Sequence, residues 1–185
     1  MEHTHLIERL RAGNRSYLSG EFAGDVSAAA REETAAHGQH PRAIVIACSD
    51  SRVIPEAIFS AGIGDLFVIR LAGNVLDRHQ LGSIEYAAAH LHCPLILVLG
   101  HTGCGAVSAA LSGGGEGYIQ YITDEILLAV GQERDPDQAC RLNVLHAVET
   151  IHQAFADHPE IPSADLDIRG AVYDIRSGEV RWLDI

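Results

Sequence analysis

The chain has 185 residues, 47% of them hydrophobic, and a formal charge of −12 at pH 7, which predicts one globular domain with a sizeable core. The acidic balance excludes a sequence-independent grip on nucleic acid or on an anionic membrane, since either needs a basic face. The longest apolar run, Pro94 to Leu99, falls far short of the ~20 residues that span a bilayer. Met1-Glu2-His3-Thr4-His5 shows no basic stretch leading into an apolar one, so no secretory signal is expected. The cysteines at 48, 93, 104 and 140 are accordingly expected as reduced thiols of a cytoplasmic protein, with Cys93 and Cys140 as small buried hydrophobes in helical surroundings.

In chain order, Leu6, Ile7, Leu10, Asn14, Tyr17 and Leu18 repeat at helical spacing and predict an amphipathic helix over residues 4–18, closed by Gly20. A second helix is expected over Ala28 to Ala36, with Ser27 as its N-cap. A buried strand follows at 42–48. Pro55 then opens a short helix to Ser60, a position where its missing N–H costs nothing. A strand over Leu66 to Leu71 leads into a loop at Ala72-Gly73-Asn74. Residues 80–91 read as a helix with Ile84, Ala87, Ala88 and Leu91 inward, and 94–100 as a third strand. A helix from about Gly103 to Leu111, a Gly-rich link over Ser112 to Gly117, and helices at 118–130 and 137–157 come next. Pro159 and Pro162 are expected to end the last of these. Alternation of Ile168, Gly170 and Val172, then Val180 and Trp182, across Arg176-Ser177-Gly178 predicts a pair of edge strands.

Alternating strands and helices imply an α/β fold: a single domain with a central, mostly parallel β-sheet flanked by helices. It divides into an N-terminal helical arm (1–38), a core carrying the candidate site (39–111), and helices with a C-terminal strand pair (112–185).

Two strings at strand ends carry the chemistry: Cys48-Ser49-Asp50-Ser51-Arg52 and His101-Thr102-Gly103-Cys104. Open parallel sheets place ligands at the carboxyl ends of their strands, so the two strings can converge although 53 positions separate Cys48 from His101. Taken singly, a Cys at a strand end reads as core and His-x-x-Cys is a weak pattern. Their joint placement points to metal. Two thiolates and an imidazole select zinc over magnesium or calcium, and three protein ligands leave a fourth position for water, hydroxide or a displaceable carboxylate. Asp50 can reach that position, and Arg52 falls on the same side, able to hold Asp50 by charge-assisted hydrogen bonds.

Cys-x-Asp-x-Arg followed by His-x-x-Cys on a scaffold of this size resembles the β-class carbonic anhydrases. The likeness runs from about Gln39 to Leu111 through Pro55, Gly64-Asp65, Arg70, Ala72-Gly73-Asn74 and Ile84-Glu85-Tyr86. It resumes at Asn143-Val144 and Gly170-Ala171-Val172-Tyr173-Asp174. The resemblance implies a lyase in which Cys48, His101 and Cys104 bind Zn2+ and Asp50 and Arg52 form a catalytic dyad. Asp50 can exchange from Arg52 onto the metal. It further implies that zinc-bound hydroxide, oriented by the dyad, hydrates carbon dioxide reversibly to bicarbonate and a proton. Gln39 matches a glutamine that hydrogen-bonds substrate, Phe67 an aromatic wall of the pocket, and Tyr86 a tyrosine near the subunit interface. A homodimer or dimer of dimers follows from the resemblance, because its clefts draw residues from two subunits.

The chain departs from the family in three places. Leu71 stands where Asn usually follows the Arg. Val45 stands where some members carry the Trp of a regulatory bicarbonate site, although Arg70 is present. The segment Ser112 to Asp135 is short and Gly-rich. His40, His79 and His90 lie near the motifs but read as structural, and none is assigned as a proton shuttle. The same zinc site could serve a carbonyl sulfide or carbon disulfide hydrolase. A non-catalytic zinc or bicarbonate-binding module is also conceivable, though it would need neither Asp50 nor Arg52.

Overall fold

Ala43–Cys48 (β1) and Leu95–His101 (β3) are buried at every residue, as continuous apolar runs must be when helices cover both faces of a sheet. The structure, a computed structural model, describes residues 2–159, 161 and 166–184. With Leu66–Leu71 (β2), Asp167–Tyr173 (β4) and Val180–Trp182 (β5), these strands form one five-stranded sheet in the order β2-β1-β3-β4-β5. The first four strands in that order run parallel, and β5 returns antiparallel to β4. The strand pair expected at the C-terminus is present, and the α/β expectation holds.

The period-2 alternation of β1 and β3 sends side chains to opposite layers. On one face Ile44, Ile46, Ile96 and Val98 pack with Ile84, Ala87, Val144, Val148 and Ile151. These come from Arg78–Glu85 (α4), the π turn at Tyr86–His90 and Pro136–Phe155 (α7). On the other face Val45, Ala47, Leu97 and Leu99 meet Leu10, Ile58 and Phe59. Leu10 belongs to Glu2–Leu18 (α1), Ile58 to Pro55–Ile58 (α3). Each fully buried Ile or Leu contributes about 1.5–3 kcal/mol, so these two layers dominate the stability of the sheet.

α1 lies on the body of the domain. Asn14, buried on its inner face, donates from Nδ2 to the carbonyls of Ile58 and Gly178 at 3.2 and 3.0 Å, and its Oδ1 accepts from the Val180 N–H at 3.1 Å. Tyr17 and Leu18, expected on the apolar stripe, are partly exposed instead, although the Tyr17 hydroxyl lies 3.1 Å from that of Tyr173. Ala28–His37 (α2) starts where expected, with the Ser27 hydroxyl accepting from the Ala30 N–H.

Several boundaries shift for local reasons. α3 stops at Ile58, and Ser60 adopts φ 46. α4 begins at Arg78 because Asp77 and Gln80 form a capping box: Asp77 accepts from the His79 N–H at 2.7 Å while Gln80 accepts from the Asp77 N–H at 3.0 Å. Ala72-Gly73-Asn74, expected as a loop, is a tight 3₁₀ turn. Gly105–Leu111 (α5) starts two residues late, since Gly103 takes φ 64 and Cys104 is extended. Ile119–Val130 (α6) follows the Gly-rich link. α7 opens on Pro136 under the Asp135 cap and ends at Phe155, ahead of Pro159; Pro162 lies outside the described residues. Cys93 sits in the loop after the π turn rather than in a helix. Burial pushes the Cys93 thiol up to about 12 and the Cys140 thiol up to about 11.

From β1 the chain goes to β2 on one side and then returns to β3 on the other. The connections therefore switch sides between the carboxyl ends of β1 and β3, where a doubly wound sheet opens a crevice. Cys48 ends β1 and His101 ends β3.

Candidate metal centre

Cys48, His101 and Cys104 are 5%, 1% and 2% exposed and meet in that crevice. Their ligand atoms all lie within 4.8 Å of one another, and the two sulfurs are 4.0 Å apart. Two sulfurs on one tetrahedral zinc at about 2.3 Å would be about 3.8 Å apart, so the pair is spaced for a single ion. His101 Nδ1 is 3.0 Å from the Thr102 carbonyl, an acceptor only, which assigns the ring proton to Nδ1. Nε2 is thereby left as a buried lone pair with no hydrogen-bond partner. A buried orphan acceptor is costly unless something binds it, and a cation among two sulfurs does so. The donor set fits Zn2+.

The sequence between the two ligands of the second string explains their aim. Gly103, with φ 64, turns the backbone so that Cys104 enters the N-terminus of α5 facing back toward β1. The hydrogen bond with Cys104 lowers the Cys48 thiol, aided by the amides of Asp50 and Gly73, against the effect of burial. Cys104 moves upward, because of the same hydrogen bond and burial. The N–H groups of Asp50 and Gly73 reach Cys48 Sγ at 3.4 and 3.3 Å. Gly73 has φ 67, and a Cβ there would stand 2.9 Å from Ile126 Cδ1 and 3.0 Å from the Ala106 Cβ.

Asp50 and Arg52 pair as expected. Arg52 Nε donates to Asp50 Oδ1 at 2.9 Å and Nη2 to Oδ2 at 2.7 Å, while the Arg52 N–H adds a third bond to Oδ1 at 3.0 Å. The guanidinium also reaches the Gly103 carbonyl at 3.2 Å, tying the first string to the second. Arg52 holds the Asp50 carboxyl well below the usual carboxylate range. Oδ2 lies 3.9 Å from His101 Nε2, so an ionised oxygen borders the metal donors.

Arg70 has a role that sequence reasoning missed. Its Nε donates to the Cys48 carbonyl at 3.1 Å and its Nη2 to the Asp50 carbonyl at 2.7 Å, clamping the loop that carries Cys48, Asp50 and Arg52. The available signal was a lone Arg near the end of an otherwise apolar strand, Leu66 to Leu71. Leu71 supports the same loop through its backbone, its carbonyl accepting from the Ser49 N–H at 3.1 Å, so the loop has support without an Asn there. Val45 is fully buried in the sheet core. Ile126 and Val130 of α6 are buried in the apolar cluster that holds Cys48, Cys104 and Cys140, which gives part of the segment from 112 to 135 a packing role.

Gln39, Phe67 and Tyr86 are not brought to this group within the chain. Gln39 is exposed before β1. Phe67 pairs in register with Ile44, four residues from Cys48 and so about 13 Å away along the strand. Half-exposed Tyr86 lies beside Phe67, ring centroids 6.3 Å apart. These three occupy the opposite end of the sheet from the metal donors. His79 is largely in solvent beside Asp77, and the ring of exposed His90 lies 5.5 Å from that of Tyr86. Among the described residues no helix is long and apolar enough to cross a membrane.

Residues 43–180 match the family model described as "Carbonic anhydrase". Carbonic anhydrase 2 of Mycobacterium tuberculosis is 35% identical over 180 residues, covering 91% of this chain and 87% of its own. The crystal structure of the β-carbonic anhydrase CafA of Aspergillus fumigatus superposes with a TM-score of 0.68 at 30% identity, covering 83% of this chain and 80% of that one. A structure from a study of two tetrameric β-carbonic anhydrases of Sordaria macrospora gives a TM-score of 0.68 at 27% identity, covering 83% and 86%.

Proposed function

The chain belongs to the β-class carbonic anhydrases, and from that premise we propose that Cys48, His101 and Cys104 hold Zn2+ while Asp50 and Arg52 direct the reversible hydration of carbon dioxide. The observation that carries this reading is the compact Cys48, His101 and Cys104 group with an ionised, bidentate-held Asp50 at its border. A bound Zn2+ supplies a Lewis acid that makes a water proton easier to lose.

The chain's own residues do the rest. Asp50, acceptor-only when ionised, takes the remaining O–H of the attacking oxygen in a hydrogen bond at Oδ2 and turns a lone pair toward the carbon. Arg52 keeps that carboxylate charged and fixed in direction, so it arrives oriented before substrate does. Arg70 holds the carbonyls of Cys48 and Asp50, so the ligand and the orienting carboxylate keep their spacing. One C–O bond forms, bicarbonate leaves, and one proton passes to buffer. Gln39, Phe67 and Tyr86 act in the cleft of a second copy: the Gln39 amide donates to a substrate oxygen as charge grows there, and Phe67 with Tyr86 forms an apolar wall suited to a nonpolar gas. The working unit is a homodimer or a dimer of dimers. Four free cysteines fit a reducing compartment, and we place the protein in the cytoplasm.

Stopped-flow hydration measured on purified protein of known zinc content tests the reading. Hydration should fall when dipicolinate strips the metal and return on restoring zinc. Fully loaded protein without hydration would contradict it, and sulfide release from carbonyl sulfide by the same sample would favour the hydrolase instead.

A further inference from the structure

We propose that Asn143 on α7 is a positioning residue for the metal ligand Cys48, acting through the backbone of Gly73. The proposal rests on the zinc reading above. Asn143 is buried and interrupts an otherwise apolar stripe of α7 between Cys140 and Val144. Its Nδ2 donates to the Gly73 carbonyl at 2.7 Å, and the Gly73 N–H in turn donates to Cys48 Sγ at 3.3 Å.

Glycine makes this link necessary. Gly73 must lack a Cβ, because Ile126 and Ala106 occupy the space one would need, yet a glycine backbone does little to hold its own angles. The next residue, Asn74, is also left-handed, with φ 46, and is buried with its Nδ2 lacking a partner. A non-glycine residue in that conformation carries strain that surrounding structure must hold in place. Asn143 is the side chain that grips the peptide joining these two residues. Without it the turn is free to relax, and the Gly73 N–H leaves the sulfur. Hydrogen bonds to a ligand sulfur orient it and draw charge from it, and loss of such outer contacts typically weakens metal binding about 10–100-fold.

The test compares wild type, Asn143→Ser, Asn143→Gln and Val148→Ala, the last a buried residue of α7 in the apolar layer under the sheet. Zinc affinity is measured by chelator competition, and the near-ultraviolet thiolate-to-metal band is recorded after Co2+ substitution. Asn143→Ser should bind zinc at least about tenfold more weakly and shift the band to longer wavelength, as a sulfur stripped of an N–H donor releases charge more easily. Asn143→Gln, which keeps the donor on a longer stem, should recover part of both, and Val148→Ala should lose thermal stability alone. Wild-type affinity and an unmoved band in Asn143→Ser would overturn the proposal, as would equal changes in Val148→Ala. A wild type with no thiolate band at all would instead refute the zinc reading.

Discussion

At the scale of single residues, the Asp50 and Arg52 pair is built for direction rather than stability. Arg52 is about half exposed, and an ion pair so solvated adds little to folding. Its geometric effect is to fix an acceptor beside Cys48, His101 and Cys104. Asp50→Asn preserves shape and all three ligands but presents a neutral amide. It should keep full zinc content while hydration falls by about 10²-fold or more, read by metal analysis and stopped flow on one sample. Near-normal turnover would remove Asp50 from the mechanism. The grouping of Cys48, His101 and Cys104 and this pair were legible in the sequence because their chemistry resides in side-chain identity and in their place at strand ends. Arg70 and Asn143 were not, since what they hold are the carbonyls of Cys48, Asp50 and Gly73, and a carbonyl is present at every position of a chain.

Among elements, α1 shows where periodicity suffices and where it does not. Its pattern gave the helix, and Asn14 was placed correctly on the inner face, but nothing in the spacing says that an Asn there joins α3 to the turn and strand of the β4–β5 hairpin. Asn14→Ala would leave the Ile58 and Gly178 carbonyls and the Val180 N–H without their partner. At about 1–3 kcal/mol for a buried polar group left unpaired, the variant should lose about 2–4 kcal/mol in urea denaturation. A change below about 0.5 kcal/mol would mean that water replaces the amide freely. The displaced helix boundaries have a similar origin. The Asp77 and Gln80 box and the left-handed Gly103 act through one or two hydrogen bonds or a single dihedral, which an averaged hydrophobic period does not register.

For the whole molecule, the two ends of the sheet carry different side chains. Cys48 and His101 gather where β1 and β3 finish, while Gln39, Phe67 and Tyr86 stand at the other end, too far along the strands to reach that group within one chain. Tyr118, just before α6, and Tyr121 and Leu128 within it also stand largely in solvent, with Tyr118 90% exposed, as is common on surfaces that meet other chains. If a second copy supplies the missing wall, two crippled proteins should mend each other. Gln39→Ala and Cys48→Ala, each weak alone, should regain up to about one quarter of wild-type hydration when refolded together, since about half of all dimers would be mixed and each mixed dimer would hold one intact site of two. No gain on mixing would confine each active site to one protomer. This division was visible in the sequence only through family likeness. Strand order and register, which separate the two ends, depend on pairings between segments that no single stretch of residues encodes.

X-ray absorption at the zinc edge of the purified protein identifies the atoms that hold the metal. Two sulfurs at about 2.3 Å, one imidazole nitrogen and one further light atom per zinc, with one zinc per chain, is the predicted result. A zinc shell without two sulfurs, or a purified protein that takes up no stoichiometric zinc, would rule out a zinc site built from Cys48, His101 and Cys104.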